Sequence, residues 1–240
     1  MAITPDTLDK LAQTDTPTIC NVIELFGVRP RHTGYMDARI RANFPEMPPM
    51  VGFACTAVFR SAAPPPGGDV YDSIDRQLDL FGELPGPAVV VFQDLDDPPV
   101  GATFGEVMCS MYRAFGSTGL ISSGAGRDLE QVREIGYPVF TGSTVCSHAW
   151  CHLLHVGLPV RVGGLMVNQG DLLHGDANGV TDIPLGIAAE VADAAGEFIA
   201  AEKIILDYVQ GPGEKTRQGL AAAHKECQAM VDELRKRIQR

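Results

Sequence analysis

The stretch AVVVFQDLDDPPVGATFGEVMCSMYRAFGSTGLISSGAGRDLEQVREIGYPVFTGS, residues 88–143, decides the fold. Three apolar runs in it, AVVVFQDL, GLISSG and PVFTGS, predict strands. The segments GEVMCSMYRAF, beginning near Glu106, and DLEQVREIG predict helices, and DDPPVGATFG predicts a glycine-containing loop. Strands that alternate with short helices are typical of parallel pairing. The stretch therefore predicts a βαβαβ unit.

The sequence before this unit predicts two short helices and a first strand. Thr4 is a capping residue for the first helix, Asp15 or Thr16 for the second, and Gly27 is suited to end the second. The run VGFACTAVFR is rich in β-forming residues and predicts a strand. A further helix is predicted from about Asp69 to Phe81.

The sequence after the unit predicts three short antiparallel strands and two closing helices. The strands are LPVRVGGLMV, DLLHGD and VTDIP, separated by NQG and ANG turns. The sequence GPG at 211–213 separates the two helices, and the last helix, Arg217–Arg240, is the more charged. We expect one α/β domain over residues 1–210 and a C-terminal helical segment, 211–240, that packs on the domain or on a neighbouring subunit.

Composition limits the classes of partner. The chain has 240 residues, 45% of them hydrophobic, and a formal net charge of −11. A strongly acidic protein repels phosphate backbones, so we expect no nucleic-acid partner. No apolar run reaches the length of a membrane span, and the first residues do not resemble a signal peptide. We therefore expect a cytoplasmic protein with no membrane partner, whose six cysteines are thiols.

The segment from Gly105 to Asp128 carries the most chemistry. A helix begins directly after Gly105, and the free N–H groups of a helix N-terminus favour a carboxylate. Gly105 would let a ligand approach the backbone. Arg127 offers a planar fork to a carboxylate or oxo group, and Asp128 could hold Mg²⁺, which needs few protein ligands. Because both places follow predicted strands, we expect them at the carboxyl edge of the sheet.

Taken alone, this segment also fits a second interpretation. An Arg-Asp pair at the start of a helix often serves as a cap and a surface charge. Glycines before helices are common turn residues. The residues by themselves leave both interpretations open.

Several motifs in order make the chain resemble one known family. GSTGLISSGAGRD, residues 116–128, preceded by Gly105-Glu106, looks like the signature of the RraA-like family, which includes 4-hydroxy-4-methyl-2-oxoglutarate aldolases. GDLLHGDANGVTDIP, residues 170–184, resembles another stretch of the family. TPTICNVIELFG and MVGFACTAV resemble its first helix and first strand. The resemblance covers about residues 15–200.

This resemblance implies a fold, an activity and a set of site residues. The fold is α/β, of the swivelling β/β/α type with a mixed sheet and flanking helices. The activity is a class II, metal-dependent cleavage or decarboxylation of a small 2-oxo acid to pyruvate, in a homotrimer or homohexamer. Asp128 would bind Mg²⁺ or a similar cation such as Mn²⁺, and Glu106 would hold metal-bound water. Arg127 would contact the substrate's oxo or carboxylate oxygens, and the amides of Val107 and Met108 its carboxylate.

The chain departs from the family pattern at three positions. The family commonly has Gly-Asp where this chain has Gly105-Glu106, and Asp-Gly where it has Ser123-Gly124. The aldolase form also has an acid where this chain has Gln131. Family members that lack that acid include binding proteins that inhibit ribonuclease E. A non-catalytic regulatory protein is therefore the alternative function.

A second cluster, VCSHAWCHLLHV at residues 145–156, contains two cysteines and three histidines. If the segment is helical, His148, His152 and His155 share one face, a spacing that suits zinc. No acid lies between them, and we favour a loop-to-helix segment packed near the site or an interface. We expect turn chemistry at Asn178 to explain Asp176.

Overall fold

This computed structural model describes residues 3–67 and 71–239 of the chain. The helices are α1 (Pro5–Ala12), α2 (Thr16–Phe26), α3 (Tyr71–Phe81), α4 (Glu106–Ala114), α5 (Leu129–Glu134), α6 (Ala188–Gln210) and α7 (Arg217–Ile238). The strands are β1 (Arg41–Ala42), β2 (Met50–Arg60), β3 (Ala88–Asp94), β4 (Ala102–Phe104), β5 (Gly119–Ser122), β6 (Ala125–Gly126), β7 (Val139–Thr141), β8 (Ser143–Thr144), β9 (His152–Val156), β10 (Val160–Val162), β11 (Leu165–Val167), β12 (Leu172–Asp176) and β13 (Gly179–Ile183).

Side-chain caps fix the first two helices where the sequence predicts them. The Thr4 hydroxyl accepts the N–H of Thr7 at 3.2 Å, and the Asp15 carboxylate accepts the N–H of Thr18 at 2.9 Å. Gly27 ends α2 in the left-handed conformation, with φ of 65°. These predictions are confirmed because capping depends on residues that are close in sequence.

The main sheet is mixed, with four parallel strands at its centre. β2, β3, β5 and β7 are hydrogen-bonded in that order and run parallel, which confirms the predicted βαβαβ unit. β1 is antiparallel to β7, β12 is antiparallel to one end of β2, and β9 is antiparallel to its other end. β13 completes the hairpin with β12, as predicted.

Both faces of the central strands are buried, which explains their continuous apolar sequences. On one face, Val90 and Phe92 of β3 pack with residues of α3, α4 and α5. On the other face, Val89 and Val91 pack with the β10–β11 hairpin. A third cluster lies where α1, α2, α6 and α7 cover Phe53 of β2.

A second, three-stranded sheet was not predicted. Its order is β4-β6-β8, and all of its strands are parallel. The sequence DDPPVGATFG predicts only a loop, but its last part forms β4. These strands have two or three residues each, which is too short for a sequence pattern to predict. They form because of pairing with neighbouring strands in the folded protein.

Two further predictions need correction, and a third can be checked only for the described residues. LPVRVGGLMV is not one strand but two, β10 and β11, joined by Gly163 and Gly164, whose φ angles of 53° and 79° favour glycine. The segment around His152 is not helical, because β9 pairs there with β2. The helix predicted from Asp69 is described from residue 71 onward, and Asp69 lies outside the described residues.

The two closing helices are separated at GPG, as predicted. α7 buries Ala223, Cys227, Val231 and Leu234 on one face, and three of these belong to the same core cluster as residues of α6. Packing of α7 on a neighbouring subunit stays a prediction. Within residues 3–67 and 71–239, every helix is either too short or too polar to cross a lipid bilayer.

Candidate active site

The second sheet brings the two halves of the predicted site together. β4 and β6 are parallel neighbours, with Phe104 opposite Gly126. The N–H of Arg127 donates to the carbonyl of Phe104 at 3.1 Å. Gly105 and Arg127 are therefore adjacent at the carboxyl ends of neighbouring strands. This edge belongs to the small sheet, and not to the main sheet as the sequence predicts.

Asp128 does not cap the helix that it precedes. Its backbone is left-handed, with φ of 53° and ψ of 38°, and its side chain makes no capping bond to α5. Instead, its Oδ2 accepts the N–H of Glu106 at 3.2 Å and lies 3.6 Å from Nε of Arg127. A non-glycine residue in this conformation is strained, and such residues cluster at functional sites. The side chain of Asp128 therefore does not cap α5 and instead contacts the first N–H of α4.

Close packing explains why residue 105 is glycine. Its φ of −158° is extended backbone that any residue adopts. A Cβ atom here would lie 2.6 Å from Oδ2 of Asp128 and 3.1 Å from Cγ of Arg127. The glycine thus lets α4 begin directly against the Arg127–Asp128 pair.

The N-terminus of α4 offers hydrogen-bond donors to an anion. The first intrahelical bond runs from the N–H of Cys109 to the carbonyl of Gly105, at 3.0 Å. Over the described ranges, the N–H of Glu106 has an acceptor and those of Val107 and Met108 have none. These donors and the helix dipole favour a carboxylate.

The site is open. The side chain of Arg127 is 36% exposed, that of Asp128 is 38% exposed, and Val107 is 58% exposed. A small anion could therefore reach the guanidinium and the helix N-terminus without a movement of the chain.

The donor set around Asp128 fits a magnesium ion better than zinc. Nowhere in the part of the chain that the structure describes do three His, Cys, Asp or Glu side chains converge as metal ligands. Structural zinc needs four such ligands and catalytic zinc three. Magnesium keeps several waters and takes one or two carboxylates, so the Asp128 carboxylate could bind it directly and Glu106 could bind its water.

One buried acid near the site was not singled out from the sequence. Asp94 ends β3 and is only 9% exposed. Its Oδ1 accepts the N–H of Asp96 at 3.0 Å, while its Oδ2 has no partner in the described part and lies against Gly124. Burial raises the pKa of this carboxyl group to about 6. An acid that ends an otherwise apolar strand was the signal available in the sequence.

The cysteine and histidine cluster does not form the helical face that zinc would need. Its turn contains Ala149, with φ of 46°, and β9 follows. His152 is buried, with Nδ1 2.7 Å from the carbonyl of Trp150, whereas His148 and His155 are exposed. His148 therefore lies in a turn, and His152 and His155 lie in β9 with different exposure, so the three histidines do not share one face.

A family comparison and a curated relative agree with the motifs. The family RraA-like, described as Aldolase/RraA, matches residues 16–181, more than half of the chain. A protein of Halalkalibacterium halodurans that carries the provisional name 4-hydroxy-4-methyl-2-oxoglutarate aldolase is 30% identical over 135 residues. That match covers 54% of this chain and 63% of the relative, so the chain spans less than two thirds of the relative's length.

Solved structures resemble the fold. An uncharacterised protein of Pseudomonas syringae pv. tomato superposes with a TM-score of 0.72 at 22% identity, covering 94% of this chain and 95% of the other. RraAS2 of Streptomyces coelicolor, described as an unusual member of the RNase ES inhibitor RraA family, superposes with a TM-score of 0.66 at 21% identity, covering 83% and 95%. The family match, which spans the helix α4 and the Arg127–Asp128 pair, decides the assignment: this chain belongs to the RraA-like family.

Proposed function

We propose that this chain is a divalent-metal-dependent lyase that cleaves or decarboxylates a small 2-oxo acid to give pyruvate. The observation that carries the proposal is the contact of Asp128 with the N–H of Glu106, beside Arg127 and at the start of α4. The contact supports the proposal because it brings a carboxylate to the start of α4, next to a guanidinium. Those are the groups that a 2-oxo acid needs for binding and for charge stabilisation.

The substrate's carboxylate is the group that the helix N-terminus holds. The N–H groups of Val107 and Met108 donate to it, and the partial positive charge of the helix adds to the attraction. Two donors on one rigid helix also fix the orientation of the 2-oxo group. The scissile bond is then held in one direction, which lowers the entropic cost of reaching the transition state.

Arg127 stabilises the charge that develops on the 2-oxo oxygen. When the carbon–carbon bond next to the 2-oxo acid breaks, its electron pair moves toward that oxygen and an enolate forms. The guanidinium donates hydrogen bonds that become stronger as this charge grows. Its only ion-pair partner in the described ranges is Asp128, at 3.6 Å, so its outer nitrogens are left for substrate.

Asp128 would hold Mg²⁺ or Mn²⁺, and Glu106 would hold water in its outer shell. When bound, the cation supplies Lewis-acid stabilisation of the same developing negative charge. Glu106 is exposed at the first position of α4 and has a longer side chain than the family's usual aspartate. In this proposal its exposed carboxylate binds water of the cation and does not replace Asp128 as the ligand.

We also propose that the chain assembles as a homotrimer or homohexamer with the site at a subunit boundary. The exposure of Val107 and of the Arg127 side chain supports this, because water must be excluded while an enolate exists. Light scattering coupled to size-exclusion chromatography would measure the mass. A monomer with full activity would contradict the assembly.

The decisive experiment measures pyruvate release from oxaloacetate and from 4-hydroxy-4-methyl-2-oxoglutarate, with Mg²⁺ and with EDTA. We expect turnover that EDTA removes and Mg²⁺ or Mn²⁺ restores. Asp128→Asn should abolish this turnover but preserve the fold, because an amide oxygen can still accept the N–H of Glu106. Arg133→Gln, a change on the outer surface of α5, is the matched control and should keep full turnover.

The alternative is a non-catalytic regulatory protein of the same family. The departures at Ser123 and Gln131 favour it, because they change residues that aldolase members have near the metal. In that case, no 2-oxo acid is cleaved with any divalent cation. A binding assay with a ribonuclease of the RNase E type would then give a complex that Asp128→Asn leaves intact.

A further inference from the structure

One bend of the chain leads from β5 of the main sheet into β6, the strand of the small sheet that precedes the proposed site. β5 ends at Ser122 in the main sheet, and β6 begins at Ala125 in the small one. The two residues between them, Ser123 and Gly124, form the bend. Arg127 lies only three residues beyond Gly124, so the direction of this bend sets where Arg127 and Asp128 lie.

Buried hydroxyl groups form hydrogen bonds with the backbone N–H and carbonyl groups at the bend. The N–H of Gly124 donates to Oγ of Ser122 at 3.0 Å, and that oxygen lies 2.7 Å from Oγ1 of Thr103. Thr103 donates to the carbonyl of Ala125 at 3.0 Å. Because each hydroxyl has one hydrogen, the Ser122 hydroxyl must donate to Thr103. On the other side, the Thr141 hydroxyl donates to the carbonyl of Gly124.

These three side chains come from three different strands. Thr103 lies in β4, Ser122 in β5 and Thr141 in β7, and none is more than 2% exposed. Each makes a hydrogen bond to a backbone group of the bend or of Ala125, the residue that follows it. Loss of one of them removes a hydrogen bond from a buried backbone group, which is unfavourable in a low-dielectric interior. The Gly124 carbonyl has a second, longer contact with the Ser143 hydroxyl, at 3.5 Å.

The small sheet cannot fix β6 by itself. β6 has two residues, and it pairs through two positions with β4, across an irregular register, and through two positions with β8. Such short ladders constrain direction poorly. The Ser122 and Thr141 hydroxyls connect the bend to β5 and β7 of the main sheet, whose core packing is rigid.

We propose that Ser122, Thr103 and Thr141 are positioning residues that hold Arg127 and Asp128 against the N-terminus of α4. This proposal rests on the proposed lyase function. It predicts that losing one hydroxyl moves the Arg127–Asp128 pair relative to Glu106. A displacement of about 1 Å can lower a rate by roughly a hundredfold although the affected residue touches no substrate.

The chain offers a closely matched control for Ser122. Ser117 is also a buried serine whose Oγ lies 2.7 Å from another hydroxyl, that of Tyr137, and contacts one backbone group, the carbonyl of Gly119. It lies at the opposite end of β5 from the bend. Ser122→Ala and Ser117→Ala should therefore lower the melting temperature by similar amounts. Only Ser122→Ala should lower kcat, by about tenfold to a hundredfold, with KM nearly unchanged.

A pair of variants at Thr103 separates the hydroxyl from the shape of the side chain. Thr103→Val keeps the shape of the side chain and loses the hydroxyl, so it should lower kcat. Thr103→Ser keeps the hydroxyl and should retain most of the wild-type kcat. Mn²⁺ affinity, measured by calorimetry, should weaken in Ser122→Ala and Thr103→Val but not in Ser117→Ala.

Active wild-type protein with equal kcat in Ser122→Ala and Ser117→Ala would overturn the positioning role and leave the lyase function standing. Equal losses in Thr103→Val and Thr103→Ser would overturn it as well. Wild-type protein with neither turnover nor Mn²⁺ binding would overturn both proposals together.

Discussion

The Nε2–H of His174 donates to the backbone carbonyl of Leu11 at 3.0 Å, which connects the β12–β13 hairpin to the end of α1. A carbonyl can only accept, so Nε2 carries the hydrogen and Nδ1 accepts from the Thr16 hydroxyl at 2.9 Å. The imidazole is fully buried. Burial lowers the pKa of His174 below its usual value of 6.5, although the hydrogen bond to the Leu11 carbonyl and the nearby charge of Asp176 partly oppose this effect.

This contact predicts a loss of stability in mild acid. The folded pKa is lower than the unfolded one, so below pH 6.5 the unfolded chain takes up a proton that the folded chain resists. Stability is retained above pH 6.5 and falls as the pH drops toward the folded pKa, by about 1.4 kcal/mol for each pH unit between the unfolded and folded pKa values. Urea unfolding of wild type and His174→Gln from neutral to acidic pH measures this.

His174→Gln can still donate to Leu11 but cannot titrate, so its stability should change less over the same range. His32→Gln, at an exposed position, controls for the loss of one histidine. Equal pH dependence in wild type and His174→Gln would contradict the prediction.

Asp94 predicts the opposite pH dependence. Its folded pKa of about 6 exceeds the ordinary 3.8, so the folded chain holds its proton more tightly than the unfolded chain. Stability is therefore lost as the pH rises from 3.8 through 6, by up to about 3 kcal/mol. Asp94→Asn should raise the unfolding free energy at pH 8 and change it little near pH 4. An unchanged or lower unfolding free energy at pH 8 would contradict the assigned burial cost.

Gly105→Ala should impair the site more than the fold. The extended backbone at residue 105 accepts alanine, but its Cβ would lie 2.6 Å from Oδ2 of Asp128. Asp128 must then move, and its contact with the N–H of Glu106 breaks. We expect lyase activity and Mn²⁺ affinity to fall while the melting temperature stays within a few degrees.

The control for this change is Gly196→Ala in α6, where the added methyl meets open space. It should keep full activity and raise helix stability by about 0.5–1 kcal/mol. Full activity in Gly105→Ala would show that the Asp128–Glu106 contact is not needed for turnover.

The parts of the fold that the sequence predicts are those that depend on neighbours along the chain. The apolar runs of β3 and β5 predict buried parallel strands because their pattern is local, and Gly27 ends α2 for the same reason. β4 and β6 have two or three residues and form only because they meet each other across the intervening α4 and β5. The histidine spacing of residues 148–155 fits a helix equally well until pairing of β9 with β2 selects a strand.

The same distinction applies to the site. Arg127 and Asp128 are predicted from their motif, since that information is carried by adjacent residues. The left-handed backbone of Asp128 and its bond to Glu106 depend on how β4 and β6 align, which no local pattern encodes. Thr103, Ser122 and Thr141 are ordinary strand residues in sequence, far apart along the chain, and only tertiary structure brings their hydroxyls to one bend.

The last prediction concerns Arg127, which is proposed to act on the transition state and not only on binding. Its guanidinium lies beside Asp128 at the start of α4, where the proposed mechanism requires the 2-oxo oxygen of a bound acid to gain charge. Loss of one such donor typically lowers kcat by about a hundred- to a thousandfold. Arg127→Ala and Arg127→Lys should both show this loss, because an ammonium group lacks the planar fork. Mn²⁺ affinity should be nearly unchanged in both, since the Asp128 carboxylate is retained, and Arg133→Lys is the surface control. Steady-state kinetics on oxaloacetate across a Mg²⁺ titration separates the alternatives: a higher KM with normal kcat would mean that Arg127 only binds substrate, and rescue by lysine would mean that charge alone is sufficient.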